Sequence, residues 1–427
     1  MYPYVQASME FPLGQPTVIV KDFLPVVDGK LPYRGLILLR IVAPRNLKLP
    51  LLPMNHLECL YFGNCAQCIY EEAQHCTHEN EFDRSWIDTY CTVEVEKALG
   101  LGYRILEIIE VWAWERFSDK VYKDYIANFM KMKYAASEYP SHVKSYEDKV
   151  KYLKEVSEDI GVTLTPEDIF VSAPGRTVAK LGANSGWGKQ AENPNHSSTQ
   201  FLSYEKYDNV RLDASKEVTG LEPSSLEGVL IVKHRPVKET IRANRFSSVV
   251  HAAFVTSFAR CLLYDVISAP GDGLAYCDTD SVVFEMDRGG VDPLAHMLTG
   301  RFGQLSDEVK EGWAITEVAI TGCKAYSMCM EKAATGEKSY KLASRGVTKD
   351  ANAMDTLEHD TLVNMVIRKN DPGVPKHLDI TRVEIKRKMG EITSAPQTKR
   401  FKVVNKKRAT RGEGAEERKV PFGYISD

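Results

Sequence analysis

Branched aliphatic residues cluster in short runs, Thr17-Val18-Ile19-Val20 and Leu36-Ile37-Leu38-Leu39, which predict strands within residues 16–43. Residues 55–92 break that pattern; they are irregular and hold five of the nine cysteines. Ser118 stands as an N-cap before Val121, Tyr122, Tyr125, Ile126, Phe129 and Met130, a three- and four-residue spacing that predicts a helix. A polar helical connector is expected over about 140–160, and Pro174-Gly175 opens a second helix over 176–188. Residues 190–225, dominated by Asn, Ser, Pro and Lys, predict loop with short strands. From Val249 to Ile267 the chain is strongly apolar, as a helix beneath a sheet would be. Pro270-Gly271-Asp272-Gly273 is a turn signal, and Leu274 to Phe284 then predicts strand, turn and strand. Strands near 315–321, 324–330 and 338–344 and a helix from about 351 to 367 complete the pattern. This order predicts an α+β fold with mixed pairing rather than alternating β-α-β units.

Composition narrows the class. The 427 residues, 43% of them hydrophobic, suffice for two or three domains with sizeable cores. No run of eighteen apolar residues and no signal-peptide pattern occur, so no membrane partner is expected. Nine unevenly spaced cysteines without a secretory signal predict a reducing, intracellular compartment. Net charge is only -3, but from Arg382 to Arg411 eleven Lys and Arg face two Glu, a basic stretch suited to a duplex backbone.

The most informative segment is Tyr276-Cys277-Asp278-Thr279-Asp280-Ser281. Two carboxylates two residues apart at a hairpin tip share a face unless the turn intervenes. Such like charges are costly together unless a cation joins them, and Mg²⁺ suits a few carboxylates with phosphate oxygens. A bare Asp-Thr-Asp is more often an ordinary Asx-type turn, but here it sits between the apolar strand segments Leu274-Ala275 and Val282-Val283-Phe284. A second constellation runs from Lys180 to Lys189. On a helix Lys180, Asn184 and Trp187 share a face, with Arg176 one turn earlier: cations for a triphosphate, an amide and an aromatic platform. Standing alone, this would be an amphipathic surface helix with an aromatic anchor. Finally, Cys65-x2-Cys68 followed by Cys76-x-His78 is compatible with a zinc knuckle, His75 and Cys59 being competing ligands; the alternative is a loop of reduced, unliganded thiols.

Tyr-x-Asp-Thr-Asp-Ser resembles motif C of family B DNA polymerases, and Lys-x3-Asn-Ser-x-Trp-Gly resembles their motif B, in the correct order. The resemblance implies that Asp278 and Asp280 ligate Mg²⁺ in two-metal nucleotidyl transfer. It implies that Lys180, Arg176 and Lys133 bind the phosphates of an incoming dNTP and that Asn184 lines the nascent base pair. Gly182, Ala183 and Gly186 stand where that family carries bulkier residues. Since each helix-interior Gly costs about 1 kcal/mol, a looser helix is expected. Met1-Tyr2-Pro3-Tyr4 resembles the end of motif A, making Tyr2 the residue beneath the sugar. Its aspartate would precede Met1, so an N-terminally truncated, inactive chain without the exonuclease domain is expected. Lys324-Ala325-Tyr326, expected on a strand, resembles the Lys-x-Tyr motif that steadies a primer end in protein-primed polymerases, and Thr279 would join it at the DNA.

Gly100-Leu101-Gly102-Tyr103, Glu110-Val111-Trp112 and Val420-Pro421-Phe422-Gly423-Tyr424 look like the polymerases of Polinton (Maverick) elements and related viruses. That group implies a right hand. Residues 1–44 would be palm, 45–115 an insertion of terminal-protein-region type, 116–190 fingers and 191–230 a second insertion. Residues 231–335 would return to palm, and 336–427 would be thumb and basic tail. Implied partners are primer–template DNA, dNTPs and a terminal protein, in the nucleus or at a viral replication site. The rival readings are a degenerate remnant that only binds DNA or terminal protein, and a zinc-dependent interaction module on 55–92.

Overall fold

Strand Gly35–Val42 accepts partners on both edges, Arg104–Ala113 on one and Trp86–Cys91 on the other, all antiparallel, and Thr17–Ile19 extends the sheet beyond Arg104–Ala113. Its alternate residues Ile37, Leu39 and Ile41 are fully buried and floor the largest core with Trp86, Tyr90, Val95, Tyr103 and Val111. Each such aliphatic side chain contributes roughly 1.5–3 kcal/mol. The computed structural model describes residues 1–224, 226–241, 247–287, 289–388, 391–404, 406–412 and 417–426, with 384, 386–388, 391 and 392 by backbone alone. The sheet draws strands from both sides of residues 44 and 45.

The apolar run folds as one helix, Val249–Ser268, packed against Tyr2–Ser8, Thr92–Gly100 and Ala173–Gln190. By length and composition it could cross a bilayer, yet Ala252, Phe254, Val255, Ala259, Tyr264 and Val266 are buried within the protein. It also carries a charge inward: Arg260 pairs with Glu94, a buried carboxylate that accepts further bonds from Ser257 Oγ (2.6 Å) and the Cys91 N–H (3.2 Å). His251 ties down the N-terminal segment. The Pro12 carbonyl, 2.9 Å from Nε2, can only accept, so Nε2 bears the proton and Nδ1 accepts from the Tyr122 hydroxyl at 2.7 Å.

Three helices follow: Lys120–Ala135, Tyr146–Ile160 and Ala173–Gln190. The second is bounded by a Ser145/Asp148 capping box and by Gly161 in the left-handed region at φ 72°. Its buried Leu153, Val156 and Ile160 meet Ile126 and Met130 of the first. The glycines of Ala173–Gln190 overturn the expectation of a loose helix. A Cβ at Gly182 would lie 2.1 Å from Phe129 Cε1, one at Gly186 would lie 3.0 Å from Tyr125 Cε1, and Tyr125 donates to the Gly182 carbonyl at 2.8 Å. With Ala179 and Ala183 buried beside them, these positions let two aromatic rings lie flush on the helix.

Strands Ser198–Ser203 and Lys216–Pro223 flank Val229–Pro236, with helix Tyr204–Leu212 over a small core of Val210, Leu230 and Val232. The middle strand runs on through residue 230, where the second insertion was expected to end, to Pro236. A three-stranded sheet, Trp313–Gly322, Ala325–Lys332 and Lys338–Ala343, matches its expected strands. The helix expected over 351–367 is two, Ala351–Thr356 and His359–Ile367. The break buries His359, whose Nδ1 and Nε2 lie 2.9 Å from Ser327 Oγ and 3.0 Å from Glu317 Oε2. An unforeseen long hairpin, Leu378–Lys388 with Glu391–Phe401, joins this core through Ile380 and Phe401.

Two predictions follow from this packing. Gly182→Val should lower unfolding free energy by ~1–3 kcal/mol through overpacking on Phe129. Gly188→Ala, with nothing within 4 Å of its Cβ, should be neutral or gain up to ~1 kcal/mol; equal denaturant midpoints for wild type and G182V would remove the packing account. Glu94→Ala should cost ~3–5 kcal/mol by leaving Arg260 unpaired, and adding Arg260→Met should recover part of that loss. Simple additivity in the double variant would mean that the two residues are uncoupled.

Candidate functional site

The hairpin Leu274–Asp278/Ser281–Phe284 pairs Asp278 with Ser281, leaving Thr279 and Asp280 at its tip. Thr279 has φ 57°, a left-handed conformation rare for a β-branched residue and typical of sites where geometry is imposed. The tip closes on Asp278: its carbonyl accepts from the Asp280 N–H (2.6 Å) and Ser281 Oγ (3.0 Å), and its carboxylate accepts from Thr279 Oγ1 (3.0 Å). The turn thus intervenes between the two carboxylates, and each meets a different cation. Asp278 holds the Lys324 ammonium at 2.5 and 2.7 Å; Asp280 lies 3.6 Å from the Met1 α-amino group.

Lys324 is not on a strand, contrary to expectation. It occupies the tight turn between Trp313–Gly322 and Ala325–Lys332 at φ 57°, so it does not share a strand face with Tyr326. Its N–H donates to the Tyr276 hydroxyl (3.0 Å), and Tyr326 packs on the Tyr276 ring at 5.3 Å. Its hydrogen bond with Asp278 raises the Lys324 pKa. Its ammonium and the Thr279 hydroxyl both bond to Asp278.

On the other side, Ser172 caps helix Ala173–Gln190 by accepting from the Gly175 N–H at 3.2 Å, with Pro174 in the first turn. Arg176 and Lys180 project from this helix and converge with Lys133 from the end of Lys120–Ala135. Burial and then repulsion by those two cations hold the Lys133 pKa below the usual lysine range. Arg176 Nε donates to Ser137 Oγ at 3.2 Å. Among the described residues none of the three cations has an ion-pair partner, so the cluster is uncompensated positive charge. Asn184 is exposed on the same helix, between Lys180 and Trp187.

Tyr2 joins the two halves. Its ring centroid is 4.2 Å from that of Trp187, and its hydroxyl sits in the field of Asp280, Arg260, Lys324 and Asp278, burial first and the Asp280 charge second raising its pKa. Tyr2 thus stands between the carboxylate hairpin and the Trp187 end of the helix, with Lys180 about 10 Å back along the helix axis. Arg260, whose charge also acts on Tyr2, lies inside the apolar run 249–267 and carried no signal in the sequence.

The cysteine motif resolves cleanly. Ligand atoms of Cys65, Cys68, Cys76 and His78 all lie within 4.8 Å of one another, with Sγ to Nδ1 separations of 3.5, 3.4 and 3.9 Å. Tetrahedral Zn²⁺ with bonds of about 2.3 Å to sulfur and 2.0–2.1 Å to nitrogen sets that edge at about 3.6 Å. Cys59 and His75 fall outside the cluster.

The basic stretch is not one face. Arg400 pairs with Asp379 (3.0 Å), Lys407 donates to the Leu60 carbonyl (2.9 Å), and Arg408 is half-buried in the field of Cys277 of the carboxylate hairpin. The side chains of Lys386, Arg387 and Lys388 lie outside the described residues.

Residues 1–150 match the family model of DNA polymerase type B, organellar and viral. No curated protein matches the chain. The fold is similar to that of phi29 DNA polymerase in two solved structures. One is a ternary complex with primer–template DNA and incoming nucleotides, at TM-score 0.53 and 14% identity; the other is a post-translocation binary complex with primer–template DNA, at 0.52 and 13%. Each alignment covers 94% of this chain and 56% of the phi29 chain, so this chain spans a little over half the length of that polymerase while sharing its fold over that portion.

Proposed function

We propose that the chain is the polymerase portion of a DNA-templated DNA polymerase of the protein-primed type B class, akin to those of Polinton elements and related viruses. The observation that carries this reading is Tyr2, which stacks on Trp187 at 4.2 Å and shares its surroundings with Asp280 and Asp278. A metal-binding carboxylate pair and a triphosphate-binding cation cluster would have to face one nucleotide, and the contact of Tyr2 with Trp187 beside the hairpin carboxylates supports that reading. In this reading 249–284 with the 313–343 sheet is palm, 120–190 fingers and the C-terminal hairpin thumb.

The reaction forms a bond from a primer 3′-oxygen to the dNTP α-phosphorus while the bond to the β-phosphate oxygen breaks and pyrophosphate leaves. Bound Mg²⁺, ligated by Asp278 and Asp280, would supply charge neutralisation and polarisation of the reacting oxygens. Lys133, Arg176 and Lys180 would clamp the β- and γ-phosphates; three clustered cations without counter-ions among the described residues suit a polyanion. Asn184 would border the nascent base pair, Tyr2 would pack beneath the sugar, and Tyr326 with Lys324 and Thr279 would steady the primer end. Lys324 then has to exchange the Asp278 oxygens for DNA phosphate, since one carboxylate cannot give both oxygens to an ammonium and also ligate a metal. A terminal protein as priming partner rests on the class alone. The Cys65, Cys68, Cys76 and His78 cluster would take Zn²⁺, whose size and ligand preference fit its spacing.

Equilibrium binding of a labelled dNTP to the chain with primer–template and Mg²⁺ tests this reading. Lys180→Ala and Arg176→Ala should each weaken binding about tenfold or more, the ~1.5–3 kcal/mol of a hydrogen bond to a charged group. Asp278→Asn with Asp280→Asn should abolish the Mg²⁺ dependence, and Lys324→Met should lower the Mg²⁺ concentration needed for half-saturation. Unchanged dNTP affinity in both cation variants sinks the proposal and favours a non-catalytic DNA-binding chain.

A further inference from the structure

The C-terminal segment returns across the molecule to the cysteine cluster. The Val404 N–H donates to the Thr321 carbonyl (2.8 Å) beside the Lys324 turn, and Arg408 passes Cys277 on the carboxylate hairpin. Lys407 reaches the Leu60 carbonyl (2.9 Å), the Thr410 N–H reaches Gln74 Oε1 (2.8 Å), and Ala409–Arg411 pairs with Arg418–Val420. The Phe422 carbonyl accepts from the Asn64 N–H (2.7 Å), and the Ile425 N–H donates to the Arg45 carbonyl (3.0 Å). Gly423 adopts φ 84°, and a Cβ there would stand 2.4 Å from Cys65 Cβ and 2.7 Å from Cys65 N. The strap therefore lies on the backbone of a cluster residue.

Around the cluster stands an outer layer that no local sequence signal announced. His78 turns Nδ1 toward the thiols while its Nε2 lies 3.7 Å from Glu71 Oε2, the carboxylate–imidazole arrangement that orients a metal-ligating histidine. Arg84, 5% exposed, donates to the Ala43 and Asn64 carbonyls and lies in the field of Cys65, Cys76 and Cys68. Three thiolates around Zn²⁺ carry one net negative charge, which Arg84 is placed to balance. Arg45, which holds Ile425, also donates to the His78 carbonyl.

We propose that Zn²⁺ on Cys65, Cys68, Cys76 and His78 is the clasp that seats the C-terminal strap, residues 406–412 and 417–426, along the carboxylate hairpin. This rests on the zinc assignment above and gives it a role: fixing the loop backbone on which Asn64, Arg45 and Cys65 receive the strap. The ion's ligands and the strap's partners are neighbours on one loop, Asn64 adjoining Cys65 and Gln74 standing two residues before Cys76, so loss of one loosens the other.

The test uses the purified full chain, with zinc content by mass spectrometry and amide hydrogen exchange before and after chelation. Expected are one Zn²⁺ per chain and, on its removal, at least tenfold faster exchange at Thr410 and Ile425 with helix Lys120–Ala135 unchanged. Cys68→Ser should lose both zinc and strap protection, Cys59→Ser neither, and Glu71→Gln should weaken zinc binding about tenfold or more. Gly423→Val should keep the zinc and lose the strap, which carries the test if C68S does not fold. Less than half an equivalent of zinc overturns both the assignment and the clasp. A full equivalent whose removal leaves strap exchange unchanged overturns the clasp and leaves the metal site standing.

Discussion

Opposite charges that must act on one ligand have to be kept near each other without neutralising each other. Here Tyr2 performs that separation. On one side of it stand Asp278 and Asp280; on the other, by way of Trp187, the helix that carries Arg176 and Lys180. Were lysine and aspartate in direct contact across this gap, the cluster would be a self-contained salt bridge with little left for a phosphate. With an aromatic residue between them Arg176 and Lys180 stay clear of the hairpin, and in the proposed function a metal-bound polyphosphate would satisfy both charge systems once Lys324 releases Asp278. At Lys133 burial and the charges of Arg176 and Lys180 act together against the ammonium, and in the proposed function a polyphosphate would relieve them.

Placement of those cations depends on close helix packing. Lys133 and the pair Arg176/Lys180 belong to different helices, so their separation is set by how nearly Lys120–Ala135 approaches Ala173–Gln190. Gly182 and Gly186 allow the Phe129 and Tyr125 rings to touch the helix backbone. The intrinsic cost of two helical glycines is offset by aromatic contact and by the Tyr125 hydrogen bond. A feature that suggests decay when read as helix propensity is, in three dimensions, what brings three cations together.

Local patterns were legible where local physics decides. The hairpin at 274–284, a helix within 140–160, the apolar helix at 249–268 and most of the strands at 313–343 follow from periodicity and turn residues, whereas the cap expected at Ser118 falls to Asp119, which makes no side-chain cap bond. What was not legible depends on partners far away. A sheet that crosses residues 44 and 45 cannot be seen from composition at that boundary. The break before His359 comes from Ser327 and Glu317, over thirty residues upstream. Lys324 reads as strand, yet the turn pulls it into the left-handed region and onto Asp278. Of six possible zinc ligands, sequence left four favoured and two competing; only the fold of 54–85 around Arg84 separates Cys59 and His75 from the rest.

The carboxylate hairpin is short, four to five residues per strand, and a two-stranded ribbon of that size is marginal alone. Its support comes from chain segments distant in sequence: Met1 and Tyr2 at the tip, the Lys324 turn and Tyr326 on Tyr276, and Arg408 beside Cys277. Each of these contacts closes a long loop, and loop closure is unfavourable until several close together. The site therefore gains order as a unit. A clasp at the far end of the strap, joining residues 64–78 to residues 420–425, shortens the freedom of the last of those loops and holds Arg408 near the hairpin. A structural metal at the cysteine cluster would thus have a physical route to the hairpin: it would act on the chain that supports the carboxylates rather than on the carboxylates themselves.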